Sequence, residues 1–268
     1  MQKKSVGFIG AGKMATALIS CICNKNIAKS IIASNRYEKN LANLKKRFSI
    51  KTTKNNKEVV RNSGIVFICV KPHDMDNVLN EIKNTVTNQL IVSIAAGTKI
   101  KDIENVLKKK RIIRVMPNIN CLVGEMAACF SAGKYATKQD ISYISEILNS
   151  AGLSFLVRED LLDAVTAISG SGPAFFAYFI QAMGKTGVEH GLPKFVSFKL
   201  AAQTALGTGK LLLNNNLPPD DLINMVASKG GTTEAGLKVL KENKTRNDLI
   251  KTLEAAIKKS KELGKHAK

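Results

Sequence analysis

An α/β half followed by an all-helical half is the fold class this sequence predicts, on three observations. A short β-prone run, Ser5 to Ile9, breaks into Gly10-Ala11-Gly12-Lys13-Met14-Ala15 and continues as a helix from Thr16. Apolar strand-like runs then alternate with other stretches as far as Val157. From Leu161 onward only helical patterning remains, in segments opened by Pro173, Pro193 and Pro218, where a first turn tolerates the missing amide. A chain of 268 residues exceeds the usual single domain, so two domains are expected, 1–160 and 161–268.

Each small residue of the opening turn has a physical task. Gly10 lets the chain bend sharply, Gly12 lets backbone approach a pyrophosphate, and Ala15, in the place of a third glycine, lets helix and strand pack closely. The amides at that helix start face an anion. The pattern is that of a Rossmann-type dinucleotide-binding domain, although such turns also arise with no ligand.

The second strand, Ile31 to Ser34, is followed by Asn35 and Arg36, at the position about 20 residues past the glycine turn where the ribose is read. An acid there would favour NAD. Asn35 can donate hydrogen bonds and Arg36 can pair with a 2′-phosphate, so NADPH is expected, with NADH as the lesser alternative. The lesser reading of Arg36 is a surface arginine at a strand end.

Leu41, Leu44 and Phe48 recur at helical spacing, giving a helix over Tyr37 to Phe48 and a short strand near Ile50. Ile65 to Val70 is a continuous apolar run, as in a strand covered on both faces, and it exits at Lys71-Pro72-His73. Leu90 to Ile94 exits at Ala95-Ala96-Gly97, and Ile112 to Met116 at Pro117-Asn118. Ligands of such sheets bind beyond the carboxyl ends of the strands, where these loops lie. The pattern continues with Met126 to Phe130, a helix from Lys138 to Ser150, and Leu153 to Val157.

Helices are expected over Leu161 to Ile168, Pro173 to His190, Pro193 to Asn214, Pro218 to Val226, Thr233 to Asn243 and Arg246 to Leu263. The segment from Pro173 is apolar almost all round and must be buried, in part by a second subunit. Ala201, Ala205, Gly207 and Gly209 offer small side chains for close helix contact. Ser169-Gly170-Ser171-Gly172 and Ala227-Ser228-Lys229-Gly230-Gly231-Thr232-Thr233 both precede helices. Each could hold a carboxylate at a helix start or be ordinary capping.

Composition narrows the classes further. Hydrophobic residues at 44% with 23% charged residues exclude a disordered chain. The longest nearly apolar stretch, Pro173 to Met183, is far short of the ~20 residues that cross a bilayer. The first strand begins by Ser5, leaving no room for a signal sequence, and a cytoplasmic location is expected. Cys21, Cys23, Cys69, Cys121 and Cys129 read as small core residues of a reducing compartment, and His73, His190 and His266 show no metal-ligand spacing. The formal net charge is +20, but the denser patches, Lys108 to Arg111 and Lys251 to Lys268, carry no interleaved aromatics. They read as a solvated surface and not as a nucleic-acid stripe.

Several motifs together resemble one family, pyrroline-5-carboxylate reductase. They are Val6-Gly-Phe-Ile-Gly-Ala-Gly-Lys-Met-Ala15, Val70-Lys-Pro-His73, Ala95-Ala-Gly97, Arg114-Val-Met-Pro-Asn118, Asp163-Ala-Val-Thr-Ala-Ile-Ser-Gly-Ser-Gly-Pro-Ala174 and Ala227-Ser-Lys-Gly-Gly-Thr-Thr233. They stand in the family's order across nearly the whole chain, and the last two are the specific ones. The resemblance implies reduction of 1-pyrroline-5-carboxylate to L-proline with NAD(P)H, and a helical domain that forms a homodimer, in some members a decameric ring of dimers. Cofactor contacts carry over to Gly10, Ala11, Gly12, Lys13, Met14, Ala15, Asn35, Arg36, Asn56, Val70, Lys71, Pro72, Ala95, Ala96 and Gly97. Substrate contacts carry over to Gly230, Gly231, Thr232, Thr233 and Glu159, with the Thr232 hydroxyl near the imine nitrogen. Two departures stand out: Lys229 replaces a usual Pro and loosens its loop, and Ile119-Asn120 replace a usual Thr-Pro.

Two other readings remain at this point. One is a two-domain NADP-dependent dehydrogenase of the hydroxy-acid or ketopantoate type. The other is a basic nucleic-acid-binding protein on a Rossmann-like fold, which steep salt-dependent retention of RNA would reveal.

Overall fold

The computed structural model describes residues 3–264. His266 and the lysines Lys265 and Lys268 of the basic C-terminal patch lie outside the described residues. Eight strands form one sheet: β1 (Ser5–Ile9), β2 (Ser30–Ser34), β3 (Lys51–Thr53), β4 (Ile65–Ile68), β5 (Leu90–Ser93), β6 (Arg111–Met116), β7 (Met126–Ala132) and β8 (Gly152–Leu156). Their order is β3-β2-β1-β4-β5-β6-β7-β8. Neighbours run parallel except β6 and β7, which are antiparallel. A parallel neighbour needs a crossover of a dozen or more residues, and the short 3-10 turn Ile119–Val123 between these two strands is too brief to make one.

Alternation along the strands explains why the central runs are apolar throughout. Ile65 and Phe67 of β4 join one cluster and Val66 and Ile68 the other, so the strand is covered on both faces. One face is packed by α1 (Lys13–Asn24), α2 (Glu38–Phe48) and α6 (Lys138–Asn149), through Leu18, Ile22, Leu44, Tyr143 and Ile147. The other is packed by α3 (Asn56–Arg61), α4 (Met75–Ile82) and α5 (Ile100–Leu107), through Val59, Met75, Leu79, Ile82 and Ile103. The rings of Phe8 and Phe67 stack between β1 and β4 with centroids 5.0 Å apart.

A buried carboxylate ties α6 to the sheet. Asp140 is fully buried and accepts hydrogen bonds from the Thr137 amide at 3.0 Å, the Thr137 hydroxyl at 2.8 Å and Arg111 Nη1 at 2.7 Å. Lys4 Nζ lies 3.9 Å away. An Asp140→Ala chain strands those donors without a charge to face, which costs about 3 kcal/mol. Urea unfolding of the full chain should show that loss as an earlier midpoint, and an unchanged midpoint would mean the network contributes nothing.

The chain divides into two compact units: one runs to Ser171 and is rejoined by the chain from Ala256 onward, and the other is Gly172–Ala255. The division falls later than 160/161 because the segment after the last strand packs on the first unit. There a 3-10 turn (Glu159–Leu161), the short helix α7 (Leu162–Val165) and a π turn (Thr166–Gly170) follow one another. Leu162 and Ala167 are fully buried, and Asn118 Nδ2 donates to the Ser169 carbonyl at 3.0 Å.

The π turn also changes the expected reading of Ser169 to Gly172. The Ser169 hydroxyl donates to the Val165 carbonyl and the Ser171 amide to the Thr166 carbonyl. These two donors satisfy the helix itself.

The second unit carries α8 (Gly172–Glu189), α9 (Lys194–Asn214), α10 (Pro219–Val226), α11 (Thr232–Glu242) and the first part of α12 (Thr245–Leu263). Among the described residues no strand follows Leu156. Close helix contact occurs on α8: a Cβ on Gly184 would stand 2.7 Å from the Phe198 ring, and Ser197 Oγ donates to the Gly184 carbonyl at 2.7 Å. The expected sites of close approach, Gly207 and Gly209, have nothing within 4 Å of such a Cβ. The α8 face expected to be buried is open within this chain, with Phe176 65% and Tyr178 72% exposed. No helix among the described residues is long and apolar enough to cross a membrane.

Candidate active site

The glycine turn folds as its residue types require. Gly10 has φ +97°, its amide donates to the Ser34 carbonyl at 2.9 Å, and a Cβ there would meet the Cys69 carbonyl oxygen at 2.7 Å. Both the dihedral and the crowding exclude other residues without strain. Gly12 differs: it caps α1 with no side-chain acceptor, and a Cβ on it would meet nothing within 4 Å. The first helical bond runs from the Thr16 amide to the Gly12 carbonyl, so the amides of Lys13, Met14 and Ala15 have no preceding turn to accept them. Ala15 is fully buried, which gives the close helix packing.

Beyond the ends of β1, β2 and β4 lies a cleft of about 420 Å³. It occupies the switch point of the sheet, where β1 sends the chain to β2 on one side and faces β4 on the other. Among the expected cofactor residues, Gly10, Ala11, Gly12, Asn35, Arg36, Asn56, Val70 and Lys71 line it. The donor set and the unfilled space at Gly12 fit a dinucleotide. Asn56 is held by its neighbours, accepting from the Ser34 hydroxyl at 2.6 Å and donating to Glu81 Oε2 at 2.7 Å. Asn35 Oδ1 accepts from the Tyr37 amide at 2.8 Å, which leaves the side-chain NH₂ group for a ligand.

The same cleft contains residues that sequence reasoning missed, among them Asp74, Asn77 and Glu81. Their spacing of three, four and seven is one face of a helix, which the structure forms as α4 and the turn before it. Cys69 also lines the cleft; burial pushes its thiol pKa far up, so it stays protonated and offers no nucleophile. Burial likewise raises Cys23 and Cys129, and brings Cys121 to about 12 with a further contribution from Cys21. All five cysteines are unpaired.

Other expected residues lie elsewhere. Lys13 and Met14 stand in the first turn of α1, and Pro72 opens the 3-10 turn after β4. Ala95, Ala96 and Gly97 form the loop after β5; Gly97 has φ +79°, and a Cβ there would lie 3.3 Å from the Leu263 backbone. Glu159 is tied inside the first unit: its Oε1 accepts from the Ile100 amide at 2.7 Å and from buried Arg114 at 3.0 Å. That leaves Oε2 as the oxygen open to a ligand.

In the second unit, Gly230 (φ +72°) turns the chain into α11. The Gly230 amide donates to Glu234 Oε2 at 2.7 Å and the Gly231 amide to the Ser228 carbonyl at 3.0 Å. The groups free to meet an anion are therefore the next amides, those of Thr232 and Thr233. Gly231 at the cap position has no side chain to satisfy them.

Residues 159–263 match the family described as pyrroline-5-carboxylate reductase dimerisation. Residues 5–97 match the one described as NADP oxidoreductase coenzyme F420-dependent. The pyrroline-5-carboxylate reductase of Methanosarcina acetivorans is 39% identical, over 99% of this chain and 100% of that protein. Among solved structures, the Plasmodium falciparum pyrroline carboxylate reductase with NADP bound is 32% identical at a TM-score of 0.88, covering 98% of this chain and 99% of that one. The Coxiella burnetii pyrroline-5-carboxylate reductase is 31% identical at a TM-score of 0.93, with the same coverage. Likeness at this level over the full length of both chains, joined to a glycine-turn cleft and an uncapped Gly-Gly-Thr-Thr turn, shows that the chain belongs to the pyrroline-5-carboxylate reductase family.

Proposed function

We propose that this chain reduces 1-pyrroline-5-carboxylate to L-proline with NADPH, the last step of proline biosynthesis. The observation that carries the reading is one chain holding both an amide-lined dinucleotide cleft and a turn with unsatisfied amides, in a sequence that aligns end to end with its relatives. The first domain would hold the cofactor through Gly10 to Ala15, Asn35, Arg36, Asn56, Val70 to Pro72 and Ala95 to Gly97. The helical domain would hold the substrate through Gly230 to Thr233, with Glu159 from the first.

Bound NADPH supplies a hydride to the electron-poor imine carbon. The chain's own part is positioning and charge. The Thr232 and Thr233 amides and the positive end of α11 take the substrate carboxylate. The Thr232 hydroxyl stabilises the nitrogen as it becomes an amine. The proton comes with the protonated substrate or from solvent, since a protonated imine is the better hydride acceptor.

The exposed Phe176, Tyr178 and Phe195 of α8 and α9 support a homodimer in which a second copy covers them, and a decameric ring of dimers is the larger assembly we infer. Five unpaired cysteines support a cytoplasmic setting. NADPH oxidation followed with 1-pyrroline-5-carboxylate, with NADH and a hydroxy-acid control in parallel, tests the reaction. Turnover of the control and none of the imine would overturn it.

Arg36 lines the cleft at the end of β2 and is expected to pair with the 2′-phosphate. Arg36→Ala should lower the preference for NADPH over NADH by about tenfold, the value of one charge-assisted contact. Steady-state KM values for the two cofactors measure it, and an unmoved ratio would show that Arg36 does not read the phosphate.

A further inference from the structure

The arginine expected to read the 2′-phosphate already has an acidic neighbour. Arg36 Nη2 lies 3.5 Å from Asp74 Oδ2, and its guanidinium sits 5.1 Å from the Tyr37 ring centroid. The Asp74 side chain is 25% exposed against 64% for Arg36, so the carboxylate is the better-fixed partner. It closes the 3-10 turn after β4 and lines the same cleft, with His73 Nε2 3.6 Å from it. Glu81, the other acid of the cleft, is turned to the Asn56 amide, which leaves Asp74 as the acid that faces Arg36.

We propose that Asp74 is a specificity-determining residue: it supplies, from the β4 side of the cleft, the acid that the end of β2 lacks, and so lets the chain use NADH beside NADPH. The inference rests on the reading of Arg36 as the partner of the 2′-phosphate. Any phosphate that reaches the Arg36 guanidinium comes near Asp74, since the two side chains are only 3.5 Å apart. It then meets like-charge repulsion and must displace an existing ion pair. A ribose 2′-hydroxyl meets neither cost, and can donate to a carboxylate placed there.

The test is calorimetric titration of the full-length chain with NADP⁺ and with NAD⁺, in the absence of substrate. The readout is the ratio of the NAD⁺ dissociation constant to that of NADP⁺. Asp74→Asn should raise this ratio by about 3- to 10-fold, a modest change because the pair is partly exposed. Asp74→Glu should stay within about twofold of the parent, because the charge is kept. Arg36→Ala should lower the ratio. A ratio that falls in Arg36→Ala but is unmoved in Asp74→Asn overturns the role of Asp74 alone. A ratio unmoved in Arg36→Ala overturns the phosphate reading and the Asp74 inference together. If both affinities fall in step in Asp74→Asn, Asp74 supports the fold of the cleft only and the inference fails.

Discussion

A Gly12→Val chain should fold like the parent and lose NADPH, with the dissociation constant rising by about 1000-fold or more. A Cβ on Gly12 would meet nothing within 4 Å, so the protein itself does not object to a side chain there. The restriction comes from outside: backbone at this turn must come close to a pyrophosphate, and a branched side chain occupies that space. Loss of the amide contacts and of the helix-start interaction together removes several kcal/mol, which is the size of the expected change. Gly10→Ala is the contrasting variant. Its Cβ would press on the Cys69 carbonyl oxygen at 2.7 Å from a φ of +97°, so it should destabilise the fold by about 1–3 kcal/mol whether or not cofactor is present. Thermal unfolding paired with NADPH titration separates the two. A Gly12→Val chain that binds normally would remove the turn from the cofactor site.

Thr232→Ala should lower kcat by about 10- to 1000-fold while leaving the unfolding temperature near that of the parent. Thr232 is the first residue of α11 and is exposed, and its side chain makes no hydrogen bond among the described residues, so little of the fold depends on it. Its effect should therefore fall on the reaction. Thr232→Ser, which keeps the hydroxyl, should recover most of the rate. Thr233→Ala is the necessary companion, because Thr233 is half-buried on the same turn. If that variant carries the loss and Thr232→Ala does not, the hydroxyl that meets the nitrogen belongs to Thr233.

The parts of this fold that were legible in the sequence share one property: their signal repeats or is locally unambiguous. β4, and β5 up to its last residue, are short continuous apolar runs because both faces are covered, and Gly10 to Ala15 announces a turn by steric need alone. The long helices α8 and α9 are marked at their starts by Pro173 and Pro193, and α12 runs for 19 residues without a Gly or Pro to break it. By contrast, α4 and α5 have eight residues each, too few repeats of a 3.6 period to stand out, and with α4 went Asp74 and Glu81. The antiparallel direction of β7 was not legible, because strand direction is set by the length of the connection and not by the strand's own residues. The engagement of Glu159 by Arg114 and Ile100 is a long-range pairing that no local spacing records.

The end of α12 adds a consequence for the order in which the protein is made. Leu263 lies against Gly97, and Ser260 donates to Asp163 at 2.6 Å, so the loop after β5 is buttressed by a helix far downstream in the chain. A nascent chain can assemble its sheet on the ribosome long before that prop emerges. The loop after β5 reaches its final form only once α12 is complete, so a substitution in the last turn of that helix acts on a loop far upstream in the message.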